Sequence, residues 1–207
     1  MLRILALFII LCSGALKAHP VIYKDGWVYW GQFKPKMNNQ KASYTFDPNF
    51  SIEANSLYLA NIDEYRDYKI GINALVKRWL AEHSQANIYA SAQAGYFHQR
   101  DDSDGSVLHG MLMADWESRH LYTAAAAMLL YFEDEYYPQY KYRFGFAPFV
   151  AGMDTLQAWL IFELSYFEKN NNQLEITPMM RFFYKNVLWE MGSSLKGELF
   201  LTLMVHY

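Results

Sequence analysis

The sequence predicts an all-β protein, a transmembrane antiparallel up-and-down β-barrel, and three observations support this prediction. Apolar and polar residues alternate with a period of two through most of the chain, as in strands with two different faces. The chain is 53% hydrophobic, yet 19% of its residues are charged, and no apolar run is long enough for a membrane-spanning helix. The chain also ends on an alternating apolar segment with a final aromatic residue. A helical membrane protein and a disordered chain are therefore both excluded.

Residues 1–18 predict a cleaved signal peptide. Arg3 supplies the positive charge, residues 4–11 the apolar core, and Ala15 or Ala18 a small residue at the cleavage site. Cys12 is the only cysteine, so cleavage leaves residues 19–207 as a cysteine-free barrel domain, without disulfides or thiol chemistry. The formal net charge of −3 gives no basic surplus for nucleic acid. We expect export to the outer membrane of a Gram-negative cell.

Period-two alternation identifies the strands in order. Residues 156–167 and 86–97 alternate without interruption, and a helical period fits neither. The ambiguous run is 124–130, because AAAAMLL suits a helix, but the aromatic residues at both of its ends favour a strand. Twelve strands are predicted: 26–35, 40–46, 50–61, 68–79, 86–98, 107–117, 121–132, 140–150, 156–167, 174–184, 187–194 and 198–207.

Ten strands remain possible if the weaker runs 40–46 and 187–194 are loops. An even number of strands places both chain ends at one rim, the periplasmic one. The connections alternate between short turns and longer polar loops, as is typical of outer-membrane barrels. The longer polar loops are predicted at 62–67, 99–106, 133–139 and 169–173.

The last strand carries the most specific pattern. Its outward positions are predicted to be Leu199, Leu201, Leu203, Val205 and Tyr207. This resembles the C-terminal signal that the assembly machinery reads in bacterial outer-membrane β-barrels. A second resemblance, to a group of small proteobacterial outer-membrane proteins, lies in LVKRWLAEHSQANIYASAQAGY, TPMMRFFYKNVLWEMG and LMVHY. It covers most of the chain and implies no established activity. The implied partners are outer-membrane lipid, lipopolysaccharide and the barrel assembly machinery.

Function is therefore sought on the inward, polar strand faces. The charges predicted in the lumen are Glu53, Lys69, Lys77, Asp115, Glu117, Lys141, Arg143, Glu163, Glu175, Arg181 and Glu190, together with Lys34, Lys185 and Glu198. Acids and bases balance, whereas twelve-stranded porins for acidic sugars carry an excess of Arg and Lys. Bulky inward residues narrow the passage further: Trp30, Trp159, Phe167, Phe183 and Phe200. Because buried charges need partners, we expect a narrow channel or a structural envelope protein with a charge-balanced, partly plugged lumen and no cofactor.

No enzyme is expected. Acyl-transfer chemistry needs a serine and a histidine held together, and the close pair in sequence, Ser118 and His120, falls in a predicted periplasmic turn. The acids Asp101, Asp102 and Asp104 fall in a predicted outer loop, where such a cluster is usually solvated surface.

The alternative is a periplasm-facing metal-binding accessory protein. His109, Met111 and Met113 are predicted inward on strand six, and Met204 and His206 on strand twelve. Mixed His and Met ligands suit copper, but these two strands lie opposite each other in a closed barrel and do not form one site.

Cleavage after Ala18 makes His19 the first residue, whose amine and imidazole together chelate copper. His19 is then expected to approach His206 and the Tyr207 carboxylate at the periplasmic rim. The oligomeric state is left open.

Overall fold

The computed structural model describes residues 21–62, 64–150, 152, 155–168 and 173–207. Within these residues the strands are β1 (Trp27–Lys34), β2 (Met37–Asp47), β3 (Phe50–Leu59), β4 (Tyr65–Leu80), β5 (Ser84–His98), β6 (Asp104–Ser118), β7 (Leu121–Phe132), β8 (Glu135–Phe146), β9 (Gln157–Phe167), β10 (Glu175–Tyr184), β11 (Val187–Ser193) and β12 (Leu199–His206). Each strand pairs antiparallel with the next, and β1 pairs with β12 to close the barrel. The predicted twelve-stranded up-and-down barrel is confirmed. In this part of the chain no helix has the length and hydropathy to span a membrane.

The two weaker runs are both strands, so the ten-stranded alternative is wrong. β2 is hydrogen-bonded to β1 and β3, and β11 to β10 and β12. Closure requires this, because a missing strand exposes a row of unpaired backbone groups that a membrane cannot hydrogen-bond. The predicted signal peptide, residues 1–18, and His19 lie outside the described residues.

The main difference from the prediction concerns β8. The segment 133–139 was expected to be an outer loop, with a strand over 140–150, but β8 begins at Glu135 and ends at Phe146. Glu133 and Asp134 have positive φ angles of 52° and 59°. A two-residue turn with both φ angles positive matches the twist of a β-hairpin, and Phe132 pairs directly with Glu135. The polar composition of this segment therefore belongs to a tight turn and the start of a strand.

We call the rim that holds the start of β1 and the end of β12 the terminal rim, and the opposite one the far rim. Residues 48–49, 81–83, 119–120 and 185–186 form short turns at the terminal rim. The same rim also carries the connection between β8 and β9, which is longer than these turns. The far rim carries the connections β1–β2, β3–β4, β5–β6, β7–β8, β9–β10 and β11–β12. The expected contrast in length between the two rims is therefore incomplete.

The two faces of each strand differ as the alternation predicts. On β4 the outward side chains Tyr68, Ile70 and Ile72 are 65%, 63% and 53% exposed, whereas the inward Asp67 and Asn73 are nearly inaccessible. Outward aromatic side chains lie toward both rims: Trp27, Trp79 and Trp116 toward the terminal rim, and Tyr68, Tyr96 and Tyr136 toward the far rim. An apolar band between two aromatic girdles is the surface of a barrel that sits in a bilayer.

Candidate functional site

A central cavity of about 350 Å³ lies inside the barrel. The inward faces of several strands supply its walls, because alternate residues of each strand point to the interior. Its charged lining consists of five cations and five glutamates: Lys34, Lys41, Lys141, Arg143, Arg181, Glu53, Glu163, Glu175, Glu190 and Glu198. The lining therefore carries no formal net charge.

Two arginines and two glutamates form one cluster on β8 to β11, which we call the arginine–glutamate cluster. Arg143 Nε donates to Glu163 Oε2 at 2.7 Å, and Arg143 Nη1 donates to Glu190 Oε1 at 3.1 Å. Arg181 Nε donates to the same Glu190 oxygen at 2.8 Å. Both glutamate side chains are 1% exposed. Buried carboxylates are tolerated when they are paired and hydrogen-bonded. Arg143 provides the charge and the hydrogen bonds for both glutamates.

A second cluster on β2 to β5 surrounds Glu53 and Asp67. Lys41 Nζ lies 3.2 Å from Glu53 Oε1, and Gln93 Nε2 donates to the same oxygen at 2.5 Å. Lys69 forms a salt bridge with Asp67. The same carboxylate accepts from the Tyr65 hydroxyl at 2.8 Å and from the Leu57 backbone N–H at 3.2 Å. Glu53 therefore has one cationic partner and Asp67 another, and this side of the lumen is also neutral.

Further contacts involve inward charges nearer the rims. Lys34 on β1 and Glu175 on β10 form a salt bridge with a distance of 2.9 Å at the far rim. β12 and β11 separate these strands in the barrel, so the pair crosses part of the interior. Toward the terminal rim, Arg78 Nε donates to Asn87 Oδ1 at 2.7 Å, and Asn87 Nδ2 donates to Asp115 Oδ1 at 2.7 Å. Glu117 accepts from Gln85 Nε2 at 2.7 Å.

One residue predicted in the lumen, Lys77, lies on the outer face. The register between β4 and β5 shifts between Leu75 and Lys77, which is a β-bulge. A bulge inserts one extra residue and so exchanges the two faces beyond it. Lys77 is exposed, with its Nζ 5.9 Å from the centroid of the Trp79 ring. Arg78 takes the inward position instead.

Three further inward charges, Lys41, Asp67 and Arg78, are not among the predicted lumen charges. Lys41 shares its face with Ser43 and Thr45, so the same alternation contains a signal for it. Asp67 falls in a predicted loop, because the predicted strand starts one residue later. Arg78 follows the bulge, which no pattern in the sequence revealed. Lys185, also expected inside, is exposed in the 185–186 turn.

Apolar side chains form clusters inside the barrel toward both rims. At the far rim a cluster spans β3 to β8: Leu59, Ile62, Tyr65, Phe97, Val107, Leu130, Phe132 and Tyr137. The rings of Tyr65, Phe97 and Phe132 have centroids 4.8 to 5.7 Å apart. Toward the terminal rim, Val21 packs inside the barrel against Leu75 and Tyr89. Val21 precedes β1, so the chain folds back into the lumen before the barrel begins.

The residues of the copper alternative are dispersed. His109 and His206 both point inward, but they lie on β6 and β12, on opposite sides of the barrel. His206 Nε2 lies 3.1 Å from Met204 Sδ. Among the described residues no group of three or more His, Cys, Asp or Glu side chains has an arrangement that holds a metal ion.

The serine–histidine pair forms a turn. The Ser118 hydroxyl oxygen accepts hydrogen bonds from the backbone N–H groups of His120 and Leu121, at 3.3 and 3.0 Å. Ser118 therefore stabilises the connection between β6 and β7.

The last strand has the expected faces. Leu199, Leu201, Leu203, Val205 and Tyr207 occupy alternate positions. The intervening Phe200, Thr202 and His206 are buried. Trp27 and Tyr207 exchange backbone hydrogen bonds of 3.0 and 2.8 Å, so the final residue is part of the seam that closes the barrel.

Comparison with known proteins shows a likeness in structure alone. No family model matches the chain, and no curated protein matches its sequence. The solved structure of the KdgM porin is 12% identical, with a TM-score of 0.52 over 88% of this chain and 98% of that one. The KdgM porin in complex with disordered oligogalacturonate is 10% identical, with a TM-score of 0.51 over the same shares. OccK8 (OprE) of Pseudomonas aeruginosa is 11% identical, with a TM-score of 0.42 over 89% of this chain and 67% of that one. The chain therefore has the twelve-stranded barrel fold of an outer-membrane porin.

Proposed function

We propose that this protein is a narrow outer-membrane channel for small solutes, with a charge-balanced and partly plugged lumen. The observation that carries the proposal is the charge balance of the cavity lining, in which five cations face five glutamates. All five cations of the lining are paired with a carboxylate among the described residues. A channel wall whose charges are paired in this way has little net field to select ions.

The apolar clusters at the two ends support a narrow passage. The far-rim cluster takes up the interior side of six consecutive strands. Val21 takes up part of the terminal rim. Such apolar constrictions reduce conduction because water and ions leave them readily. The KdgM porin has been solved in complex with disordered oligogalacturonate, which is a polyanion. The balanced lining here favours a different class of solute.

Planar-bilayer recording of the refolded protein tests this proposal. We expect a small unitary conductance with nearly equal permeability to potassium and chloride. A large, strongly anion-selective pore would contradict the proposal. Complete absence of current, with the folded barrel confirmed by slower migration of heated samples in detergent gels, would support the structural envelope role instead.

The proposed location includes membrane partners. The outward apolar band and aromatic girdles suit outer-membrane lipid and lipopolysaccharide. The alternating face of β12 suits recognition by the barrel assembly machinery. Export through a signal peptide, residues 1–18, remains a prediction, and it is tested by N-terminal sequencing of protein purified from the membrane.

A second candidate function is copper binding at the terminal rim. The contact of 3.1 Å between His206 Nε2 and Met204 Sδ favours it, because nitrogen and thioether ligands together suit copper. In this proposal His19, with its free amine, completes the site. Copper titration of the mature protein should show one tight site, which disappears in His19→Ala and weakens in His206→Ala. Equal affinity in the wild type and His19→Ala would reject it.

A further inference from the structure

One wall of the central cavity differs from the rest because its side chains are polar but uncharged. Gln32 on β1 is in register with Asn39 on β2 on one side and with Thr202 on β12 on the other. All three side chains line the cavity. We call these three residues the amide–hydroxyl row. The row lies between the two charged clusters, since Thr202 is in turn in register with Glu190.

Two members of the row hold polar atoms that the protein leaves without a partner. Gln32 and Thr202 are 3% and 1% exposed. Gln32 Nε2 and Thr202 Oγ1 make no hydrogen bond to any described residue. Asn39 differs, because its Oδ1 accepts from Asn55 Nδ2 at 2.6 Å. Buried polar groups are normally satisfied, so this donor and this hydroxyl point to a ligand that supplies both an acceptor and a donor.

The charged residues around the row are already occupied. The carboxylate of Glu190, which is in register with Thr202, accepts from both Arg143 and Arg181. Lys34, two residues after Gln32, is paired with Glu175. An ionic solute bound beside the row would compete with one of these pairs and leave a buried charge uncompensated. A neutral solute has no such cost.

The remaining features of this wall suit a small hydroxyl-rich molecule. Trp30, two residues before Gln32, also lines the cavity and adds an aromatic ring to this wall, with Lys41 Nζ 5.6 Å from the ring centroid. A volume of about 350 Å³ is at the lower end of the range for small-molecule pockets. Gln32 has a flexible side chain, and rotation of its amide toward the cavity presents Nε2 to a ligand.

We infer that the amide–hydroxyl row binds an uncharged, hydroxyl-rich solute of about monosaccharide size, and that the barrel passes such solutes faster than ions of equal size. This inference rests on the proposed channel function, and it names the class of solute. Hydroxyl groups of the solute satisfy both atoms, because each hydroxyl both donates and accepts. Gln32 Nε2 requires an acceptor, and Thr202 Oγ1 binds either a donor or an acceptor.

Three sugars of one ring size separate charge from shape: glucose is neutral, glucuronate is an anion and glucosamine is a cation at neutral pH. In liposome-swelling assays on the refolded protein, we expect glucose to enter faster than both charged sugars. Equal rates for all three, or a faster rate for either charged sugar, would overturn the inference while leaving the channel intact.

Binding is measured separately by tryptophan fluorescence titration with glucose in detergent micelles, which does not depend on conduction. Thr202→Val removes the hydroxyl but keeps the shape, and Gln32→Leu removes the amide. Each should weaken glucose binding by about 2- to 10-fold, the loss expected for one hydrogen bond.

Ser91→Ala is the matched control. Ser91 is 9% exposed and its Oγ also lacks a partner among the described residues, but it does not line the cavity. Its substitution should leave glucose binding unchanged. Unchanged affinity in both Thr202→Val and Gln32→Leu would overturn the inference. Glucose binding without solute entry or ion current would reject the channel function and leave the amide–hydroxyl row as a binding site.

Discussion

Arg143 shows at the scale of a single residue how this lumen is neutralised. Its guanidinium contacts Glu163 and Glu190 together, although these glutamates come from different strands. The planar guanidinium has donors on several sides and so bridges two carboxylates, which a lysine ammonium does less well. Lys141 reaches Glu163 only at 3.7 Å.

The first prediction concerns Arg143→Ala. The substitution leaves Glu163 with the distant Lys141 and Glu190 with Arg181 alone, so the cavity gains a net negative charge. Selectivity in bilayer recordings should shift toward cations and conductance should rise. Breaking a buried pair costs up to about 3–5 kcal/mol of stability, so the free energy of unfolding should be measured for the same variant.

Lys77→Ala is the control for this prediction. It also removes one cation, but Lys77 lies on the outer face beside Trp79. Its selectivity should equal that of the wild type. A cation shift as large as that of Arg143→Ala would mean that the total charge of the barrel, and not the lumen, sets the selectivity.

At the scale of an element, β12 combines closure with a recognition pattern. Its inward side holds Phe200, Thr202 and His206, and its outward side ends at Tyr207. Both edges of β12 are hydrogen-bonded, to β1 and to β11. The pairing of β12 with β1 therefore closes the cylinder.

The second prediction concerns Tyr207→Ala. We expect lower outer-membrane abundance with unchanged export across the inner membrane, because the assembly machinery is proposed to read the terminal aromatic side chain. Fractionation and immunoblotting measure both quantities. Tyr184→Ala is a matched control, because Tyr184 is 40% exposed at the same rim and Tyr207 is 39% exposed. Equal abundance of Tyr207→Ala and wild type would contradict the proposed signal.

At the scale of the whole molecule, the barrel encloses a cavity and carries an apolar cluster toward each rim. Twelve strands enclose the cavity, and the proposed constrictions are these two clusters. Phe132 lies at the centre of the far-rim cluster, in contact with the rings of Tyr65, Phe97 and Tyr137.

The third prediction concerns Phe132→Ala. Removing this ring should open the far rim and raise the conductance, at a cost of about 3–5 kcal/mol for a large-to-small core substitution. Tyr131→Ala is the control, because Tyr131 precedes Phe132 on the opposite face of β7, where its hydroxyl donates to Asp134. A conductance increase in Tyr131→Ala alone would show that the far-rim cluster is not the constriction.

Local patterning determined the fold class, the strand number and most inward and outward faces. These features are predictable because alternation along one strand reports which face meets water or protein and which meets apolar surroundings. The predicted faces were wrong where a bulge interrupted the alternation. The predicted loop was wrong where a polar segment formed a tight turn and the start of a strand. The bulge after Leu75 exchanged Lys77 and Arg78, and the acidic residues Glu133 and Asp134 formed a tight turn.

The sequence by itself thus determined a barrel with acidic and basic residues on its inward faces, and only the tertiary structure decided which charges meet. Lys34 and Glu175 are 141 positions apart in the chain, and Arg143 and Glu190 are 47 apart. Their contacts depend on barrel closure and strand register, which a period of two does not contain. The same holds for the amide–hydroxyl row, because Gln32 and Thr202 become neighbours only when β1 pairs with β12.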